Sequence, residues 1–410
     1  MSRLFIYDTS NFIDFPIGGQ LTSIGNFLRF VCEEHPERTE DIVLVGVTLC
    51  EEEIGKIRKI NLYGRRIAFL PVTTAEKDLG NTASSLRLKY VKGLLKCRKL
   101  LRITKRDCNY VHSPEAYGIV KLFCPAARCV IFSHGSYFNM EKGFRFFRKN
   151  VLVKKGFVLY LKWVLRSANL ILLLDKDSLR DYKPYNSNLV QVGNSIICPE
   201  LPEGRHVLKE GKVREILFVG RLSKDKRVEP IIRAIAGMGS AGQGGNADNG
   251  NAEREKVEWG EDAGQGGNTG GMRLTIVGDG EEYGNLIPYA GERIRFVGAV
   301  PPGEVKEYMQ NSDILVMNSA FEGIPMTILE AISYGLPVVS TNVGGIGEAL
   351  HFGQDSEETD GTAESIRAAI GRIEAHYDVY SRNAYENSKA FDYRILNRKV
   401  YDLLCGYWGA

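Results

Sequence analysis

One stretch, residues 321–350, combines elements that few folds can accommodate. It reads FEGIPMTILEAISYGLPVVSTNVGGIGEAL. The spacing of its apolar residues predicts a helix over 326–334, which Gly335 and Pro337 end. A strand over 338–341 and a glycine turn follow. This order predicts a repeating strand–helix unit. The loop before the helix is a place where unpaired backbone N–H groups attract an anion.

Two carboxylates frame the start of this predicted helix. Glu322 lies in the loop and Glu330 lies within the helix, with seven residues between them. A carboxylate in the loop can face a sugar, and one farther along can accept hydrogen bonds from ribose hydroxyls. A pair at this spacing is common, and Glu330 is equally compatible with a surface charge on an amphipathic helix. The other residues of the segment therefore decide the interpretation.

The charge of the 410-residue chain is unevenly divided. Residues 1–195 contain 31 Lys and Arg against 18 Asp and Glu, whereas the remainder contains 22 against 32. A basic first half and an acidic second half predict two domains with different tasks. The basic half suits anionic lipid better than nucleic acid, because no zinc-knuckle or RNA-binding aromatic pattern accompanies it.

The cysteines and the apolar runs indicate a cytoplasmic protein. The eight cysteines form no Cys-x-x-Cys pair and no metal-ligand pattern with histidine, which is typical of reduced thiols. The N-terminus leads into a strand with no signal-peptide region. The longest apolar run, 157–174, is interrupted by charged side chains and is not predicted to span a membrane.

Strands alternate with helices in both halves, which predicts parallel sheets covered by helices. A first strand at 4–7 leads through a loop ending in Gly18 and Gly19 to a helix over 20–34, an arrangement suited to phosphate binding or to an ordinary tight turn. The low-complexity stretch at 239–271 is predicted to be a disordered insertion. Further strands are predicted at 42–47, 66–70, 110–112, 129–132, 169–174, 190–194, 216–219, 273–277, 294–297 and 313–317, and further helices at 86–106, 228–236, 304–310 and 391–408.

Two basic stretches, 86–106 and 141–166, predict peripheral contact with an anionic membrane. In the second stretch aromatic rings interleave with Lys and Arg. Rings suit the headgroup depth of a bilayer, and ammonium groups suit lipid phosphate. The alternative is a helix packed within its domain whose charges are merely solvated.

The 321–350 segment resembles the donor-binding segment of retaining GT-B glycosyltransferases of the family-four type, "glycosyl transferases group 1". Gly-Ile-Pro before the helix, Leu-Glu-Ala within it, then Gly-Leu-Pro-Val-Val and Gly-Gly carry the resemblance. It implies an α/β GT-B fold with two Rossmann-like parallel-sheet domains facing across a cleft. The acceptor-binding domain is expected at 1–198 and the donor-binding domain at 199–389, with a helix at 390–410 packing back on the first domain.

The resemblance also implies roles for individual residues. Arg221 and Lys226 would hold the donor diphosphate and neutralise it as it leaves, without a metal or a cofactor. Glu322 would lie near the transferred sugar, Glu330 would accept the ribose hydroxyls, and His134 would contact the donor sugar across the cleft. Further contacts with donor or acceptor are implied for Gly18, Gly19, Asn194, Gly278, Gly298, Gly323, Ile324 and Pro325, with Glu348 behind them.

Three departures and one further motif qualify the resemblance. Ser195, Arg227 and Gly347 stand where the family often has Gly, Gly and Pro. Asp-x-Asp at 175–177 is also how a metal-dependent GT-A enzyme would hold manganese. Capping of the following helix by Asp177 or Ser178 is the simpler interpretation.

The predicted function is transfer of a hexosyl unit, with retention, from a nucleotide-diphosphate sugar. The acceptor would be a lipid-linked or growing glycan in cell-surface polysaccharide synthesis, at the inner face of the membrane. Two alternatives stay open: a nucleotide-sugar epimerase of the same fold, and a non-catalytic donor-binding partner in a membrane assembly. The sequence does not identify the base, the sugar or the acceptor.

Overall fold

The computed structural model describes residues 2–13, 19–75, 86–135, 138, 151–200, 208, 211–236 and 271–409. Gly18, almost all of the predicted insertion at 239–271, and the part of the second basic stretch before Val151 lie outside the described residues. Two sheets organise the rest. No helix of the described part is long and apolar enough to cross a bilayer.

The first sheet has eight strands in the order β3-β4-β2-β1-β5-β6-β7-β8. All its pairings are parallel except β3 with β4, a hairpin of which the sequence predicted only part of the second strand. Parallel pairing brings the carboxyl ends of its central strands to one edge. The strands are β1 Leu4–Tyr7, β2 Ile42–Thr48, β3 Arg58–Leu62, β4 Arg65–Thr74, β5 Cys108–Val111, β6 Arg128–Ser133, β7 Leu170–Leu173 and β8 Leu189–Gln191.

The second sheet has six strands in the order β11-β10-β9-β12-β13-β14, and every pairing in it is parallel. Helices cover both of its faces, as parallel strands with two buried faces require. Its strands are β9 Glu215–Val219, β10 Arg273–Val277, β11 Ile294–Gly298, β12 Ile314–Met317, β13 Val338–Ser340 and β14 Ser356–Glu358.

The helices connect successive strands and supply the outer layers. They are α1 Gly19–Glu34, α2 Leu86–Lys96, α3 Arg98–Leu101, α4 Pro114–Phe123, α5 Val151–Ser167, α6 Lys176–Tyr182, α7 Val228–Ala236, α8 Tyr283–Leu286, α9 Pro302–Gln310, α10 Met326–Ser333, α11 Ile346–Ala349, α12 Ala363–Ala375, α13 Tyr377–Ser388 and α14 Tyr393–Trp408.

Alternation along the strands divides each domain into two cores. In β1, Leu4 and Ile6 pack with α1 on one face, whereas Phe5 and Tyr7 pack with α2, α4 and α5 on the other. This is the period-two geometry of a strand buried on both sides.

The single helix predicted at 86–106 is wrong in its extent. The structure breaks it at Cys97 into α2 and the short α3. Arg102 then adopts a left-handed backbone conformation with φ of 42°, which ends the helical path. The run of helix-favouring residues continues past this point, so local propensity alone could not locate the break.

The last helix, α14, returns from the second domain to the core of the first. The chain crosses where Ile196 donates its N–H to Phe391 O at 2.9 Å and Tyr393 donates to Ile196 O at 2.8 Å. Leu404 and Trp408 then pack in the core that contains α1. The C-terminus therefore ties the two domains together.

Burial on α14 should decide the cost of truncation along it. Leu404 is 0% exposed and Ile395 is 59% exposed, so we expect Leu404→Ala to lower the free energy of unfolding by about 2–5 kcal/mol. Ile395→Ala, the matched control on the same helix, should change it by less than about 0.5 kcal/mol. Urea unfolding of both variants measures the difference, and equal costs would contradict the packing described.

Candidate active site

A cavity of about 290 Å³ opens between the two domains at the carboxyl edges of both sheets. Parallel α/β sheets characteristically bind ligands at this edge. His134 and Leu174 follow β6 and β7 directly, and Gly220 follows β9. The first domain lines the cavity with Gly19, Gln20, His134, Leu174 and Asn194, and the second with Val219, Gly220, Lys226, Met317, Glu322, Gly323, Ile324, Pro325, Met326 and Thr327.

The loop before α10 presents backbone donors to this cavity. The helix begins at Met326, after Pro325, so the N–H groups of Met326 and Thr327 have no partner within the helix, whereas Ile328 donates to Pro325 O at 3.2 Å. The partial positive charge of the helix terminus adds to them. Gly344 fits closely behind the loop: with φ of 58°, its Cβ would lie 1.8 Å from Glu322 O. A glycine there lets the loop keep its position.

Lys226 and Glu322 form an ion pair at the wall of the cavity. The Lys226 side chain is 15% exposed and that of Glu322 is 12% exposed. Ser319 Oγ also donates to Glu322 Oε1 at 2.7 Å. Ala320 donates its N–H to Asp225 O at 2.7 Å and joins the two loops that carry the pair. A pair this enclosed depends on both partners, because either charge alone would remain desolvated.

His134 lines the cavity and is held from behind by His112. Nε2 of His134 lies 2.9 Å from Nδ1 of His112. Burial lowers the pKa of His134 to about 3 and lowers the pKa of His112 well below its usual value. Both imidazoles are therefore neutral at physiological pH. The sequence indicated His134 but gave no sign of His112.

Asn194 connects the two domains across the cavity. Its Nδ2 donates to Ile324 O at 2.8 Å, which fixes the orientation of the amide because a carbonyl oxygen needs a donor. Its Oδ1 is buried and finds no partner among the described residues. A buried acceptor of this kind is suited to a hydroxyl or amide hydrogen of a ligand.

Glu348 forms a second bridge between the domains. Lys176 at the start of α6 donates its N–H to one carboxylate oxygen at 2.8 Å, and Gln191 Nε2 donates to the other at 2.6 Å. The N-cap of α6 is Asp175, which accepts from Ser178 N at 2.6 Å. The predicted cap at Asp177 or Ser178 is therefore wrong, because Asp175, two residues after the end of β7, occupies the cap position.

Glu330 does not share the cavity of Glu322. It lines a neighbouring cavity of about 190 Å³, together with Thr22 and Asn26 of α1 and Lys306 of α9. The two cavities have Met326 in common. Burial raises the pKa of Glu330 to about 7.

Three other predicted residues lie around the cavity and not in its wall. Arg221 is exposed and follows Gly220, which does line the cavity. Gly278 donates its N–H to Gly298 O at 2.8 Å. A Cβ on Gly278 would lie 1.9 Å from Gly220 O, so a side chain there would push the Gly220 loop away.

Family and fold comparisons agree with this geometry. Residues 263–375 match the family model described as Glycosyl transferases group 1. The lipopolysaccharide 1,6-galactosyltransferase of Salmonella typhimurium is 37% identical over 114 residues, which are 26% of this chain and 32% of that protein. The glycogen synthase of Mycobacterium tuberculosis is 24% identical over 222 residues, 51% of this chain and 47% of that protein. The chain thus matches a third to a half of the length of these relatives.

Solved structures match almost the whole chain. Sucrose-phosphate synthase from Thermosynechococcus elongatus has a TM-score of 0.73 at 12% identity and covers 98% of each chain. The apo form of the lipopolysaccharide outer core galactosyltransferase WaaB has a TM-score of 0.63 at 17% identity and covers 99% of each chain. The chain has the GT-B glycosyltransferase fold. The predicted fold class is confirmed, and residues 263–375 match the family that the resemblance named.

The three departures from the GT-B pattern have structural compensations. Arg227 takes a left-handed φ of 45° where the family favours glycine, and its guanidinium donates to Asn318 O at 2.9 Å and Ser319 O at 3.1 Å. Ser195 accepts from Asn397 Nδ2 at 3.1 Å. At Gly347, a Cβ would lie only 2.6 Å from Asn342 Oδ1, so the present position of Asn342 requires a glycine there.

Asp8 and Gln20 belong to the same side of this GT-B cleft and were not predicted. Asp8 follows β1, is buried, and accepts a hydrogen bond from Nε2 of Gln20. Burial raises the pKa of Asp8 to about 6, although the Gln20 amide acts in the opposite direction. Because only Gln20 of the two lines the cavity, Asp8 orients a cavity-facing amide.

The raised pKa of Asp8 predicts a pH dependence of stability. Between its unfolded pKa near 4 and about pH 6, the unfolded chain releases this proton and the folded chain keeps it, so stability falls as pH rises. Asp8→Asn should remove this loss and become more stable relative to wild type by up to about 1.4 kcal/mol per pH unit in that window. Urea unfolding at pH 4 to 8 measures it. A constant difference between the two proteins would contradict the assignment.

Proposed function

We propose that this GT-B protein is a retaining glycosyltransferase that moves a hexosyl unit from a nucleotide-diphosphate sugar to a glycan or lipid-linked acceptor. The observation that carries the proposal is the Lys226–Glu322 pair beside the α10 N-terminus, in a cavity lined by both domains. A solved structure with similar fold, Anabaena HepE, is described in complex with UDP-glucose. This supports the class of donor and leaves the base and the sugar open.

The diphosphate would lie against the start of α10. Backbone N–H groups of its first turn and the Lys226 ammonium are the donors available there, and both suit phosphate oxygens. As the glycosidic bond breaks, negative charge grows on the diphosphate. Fixed donors that face this charge lower the barrier, because they need no reorganisation. We assign this task to the protein's own groups, with no metal or cofactor. Arg221 is exposed and directly follows Gly220 of the cavity wall, so we assign it a further contact with the diphosphate from the rim of the cleft.

Glu322 would position the donor sugar and not attack it. Lys226 and Ser319 both contact its Oε1, and the adjacent ammonium charge lowers the nucleophilicity of the whole carboxylate. The lysine ammonium has three hydrogens, so it can keep Glu322 while donating to phosphate. Across the cavity, His134 and Oδ1 of Asn194, which has no partner among the described residues, offer groups for sugar hydroxyls. Retention would then follow from attack on the same face as the departing diphosphate.

Removal of the Lys226 charge should slow transfer far more than it weakens donor binding. We expect Lys226→Met to lower kcat by about 10²–10³-fold, the usual cost of losing a fixed donor to developing charge. Lys224→Met is the matched control, because Lys224 lies in the same short turn but is exposed. Release of nucleoside diphosphate from a panel of uridine and guanosine diphosphate hexoses measures it. Similar rates for the two variants would reject this site.

The acceptor side of the proposal includes a membrane-facing layer, which we define as α2, α4 and α5. Arg87 of α2 pairs with Glu115 of α4 at 2.9 Å, and Tyr160 of α5 donates to Pro114 O at 2.6 Å, so the three helices form one layer. Large apolar side chains are exposed on it beside many cations. The exposed residues are Leu88, Leu95, Leu122, Leu159 and Trp163, with Lys92, Lys96, Lys155 and Arg166.

Apolar groups among cations on one layer fit the surface of an anionic bilayer. This arrangement of apolar and cationic side chains supports a lipid-linked acceptor, because binding of the layer to a bilayer would bring the cleft to the lipid surface. Location at the inner face of the membrane belongs to the same proposal. Solvation of the charged side chains would account for the exposed lysines, but it would not account for several exposed leucines on the same layer.

Vesicle sedimentation tests the membrane-facing layer. We expect the chain to sediment with vesicles that contain anionic lipid and not with neutral ones, and salt should weaken the binding. Leu159→Glu should reduce binding by about tenfold or more, because it removes an apolar anchor and adds a repelled charge. Ile395→Glu changes a residue on α14 that is 59% exposed, against 67% for Leu159, and should bind as wild type does. Equal sedimentation with both kinds of vesicle would refute the proposal.

A further inference from the structure

A second imidazole stands directly behind the one that faces the cavity. His112 follows β5 and His134 follows β6, and these strands are adjacent and parallel, with Val111 opposite Ile131. The two side chains therefore meet at the carboxyl edge of the sheet. His112 is 5% exposed and is not part of the cavity wall. Its ring is fixed by Phe132, stacked at 5.4 Å, and by Tyr110, edge-on at 4.5 Å.

One hydrogen atom must lie between Nδ1 of His112 and Nε2 of His134, which are 2.9 Å apart. Both rings are neutral, so each carries one N–H and one bare nitrogen. Only two arrangements are then possible. Either His112 donates from Nδ1 and His134 carries its own proton on Nδ1, or His134 donates from Nε2 and His112 carries its proton on Nε2.

The far nitrogen of His112 distinguishes these arrangements. Nε2 of His112 is buried and has no hydrogen-bond partner among the described residues. A buried N–H without a partner is rarer and costlier in proteins than a bare acceptor. The proton of His112 is therefore better placed on Nδ1, where it has an acceptor. His134 must then carry its proton on Nδ1.

We propose that His112 is a positioning residue that holds His134 as the Nδ1–H tautomer, so that His134 offers the cavity a hydrogen-bond donor and no acceptor. Nε2 of His134 is occupied by His112, which leaves Nδ1 as the ring nitrogen without a partner among the described residues. A neutral donor of this kind recognises an oxygen lone pair, such as that of a hydroxyl on the transferred sugar. It cannot remove a proton from an acceptor hydroxyl. The inference rests on the proposed function only for the identity of that oxygen.

The tautomer is directly measurable. Long-range ¹H–¹⁵N correlation spectra of the full chain with ¹⁵N-histidine, assigned by loss of the His134 signals in His134→Gln, report which nitrogen carries the proton. We expect the Nδ1–H form for His134 in the wild type. An Nε2–H form would overturn the proposal, whether or not the chain transfers sugar. The expected tautomer in a chain without transfer activity would instead refute the proposed function alone.

Two variants of His112 separate positioning from packing. His112→Phe keeps an apolar ring but removes the donor, and His112→Asn supplies an amide N–H close to the place of Nδ1. We expect the phenylalanine variant to lose the single tautomer and about tenfold in kcat. The asparagine variant should recover both, at least in part. Equal kcat for the two variants, with both folded by circular dichroism, would show a packing role only.

Discussion

The site depends on one enclosed ion pair. Lys226 and Glu322 come from different loops of the second domain, and each would be a desolvated charge without the other. The pair therefore fixes the loop before α10, and with it the direction of the backbone donors at that helix start. Gly344 allows the arrangement because its lack of a side chain leaves room for Glu322 O. Lys226, Glu322 and Gly344 therefore determine both the shape of the loop and the charge that a ligand meets there.

The two domains are held around this site by polar contacts at their facing edges. Asn194 donates to Ile324 O, and Glu348 accepts from the N–H of Lys176 at the start of α6. In addition, α14 packs in the first core. Each contact joins a loop of one sheet to a loop or helix of the other. The polar contacts can re-form as the cleft changes width, whereas the apolar packing of α14 keeps the two domains attached, which suits a site that must admit a large donor.

The sequence predicted most of the fold and part of the site. The alternating strands and helices, and the loop and helix at 321–350, could be predicted because they depend on the local spacing of apolar residues and on glycine and proline. Asp8, Gln20 and His112 were not predicted, because their roles arise from contacts that only the folded chain makes. Gln20 of α1 donates to Asp8, which follows β1, and His112 meets His134 across adjacent strands. Glu330 was expected to contact the same donor as Glu322, yet in the structure it lines the adjoining cavity, one helical turn into α10. The break at Cys97 escaped prediction because helix-favouring residues continue beyond it.

The most direct test of the central claim is an experimental structure of the chain with a nucleoside diphosphate bound. We predict that the diphosphate oxygens lie within about 3 Å of the Lys226 ammonium and of the backbone N–H groups at the start of α10, with Glu322 still paired to Lys226. A diphosphate that binds elsewhere and makes no contact with Lys226 would contradict the proposed site.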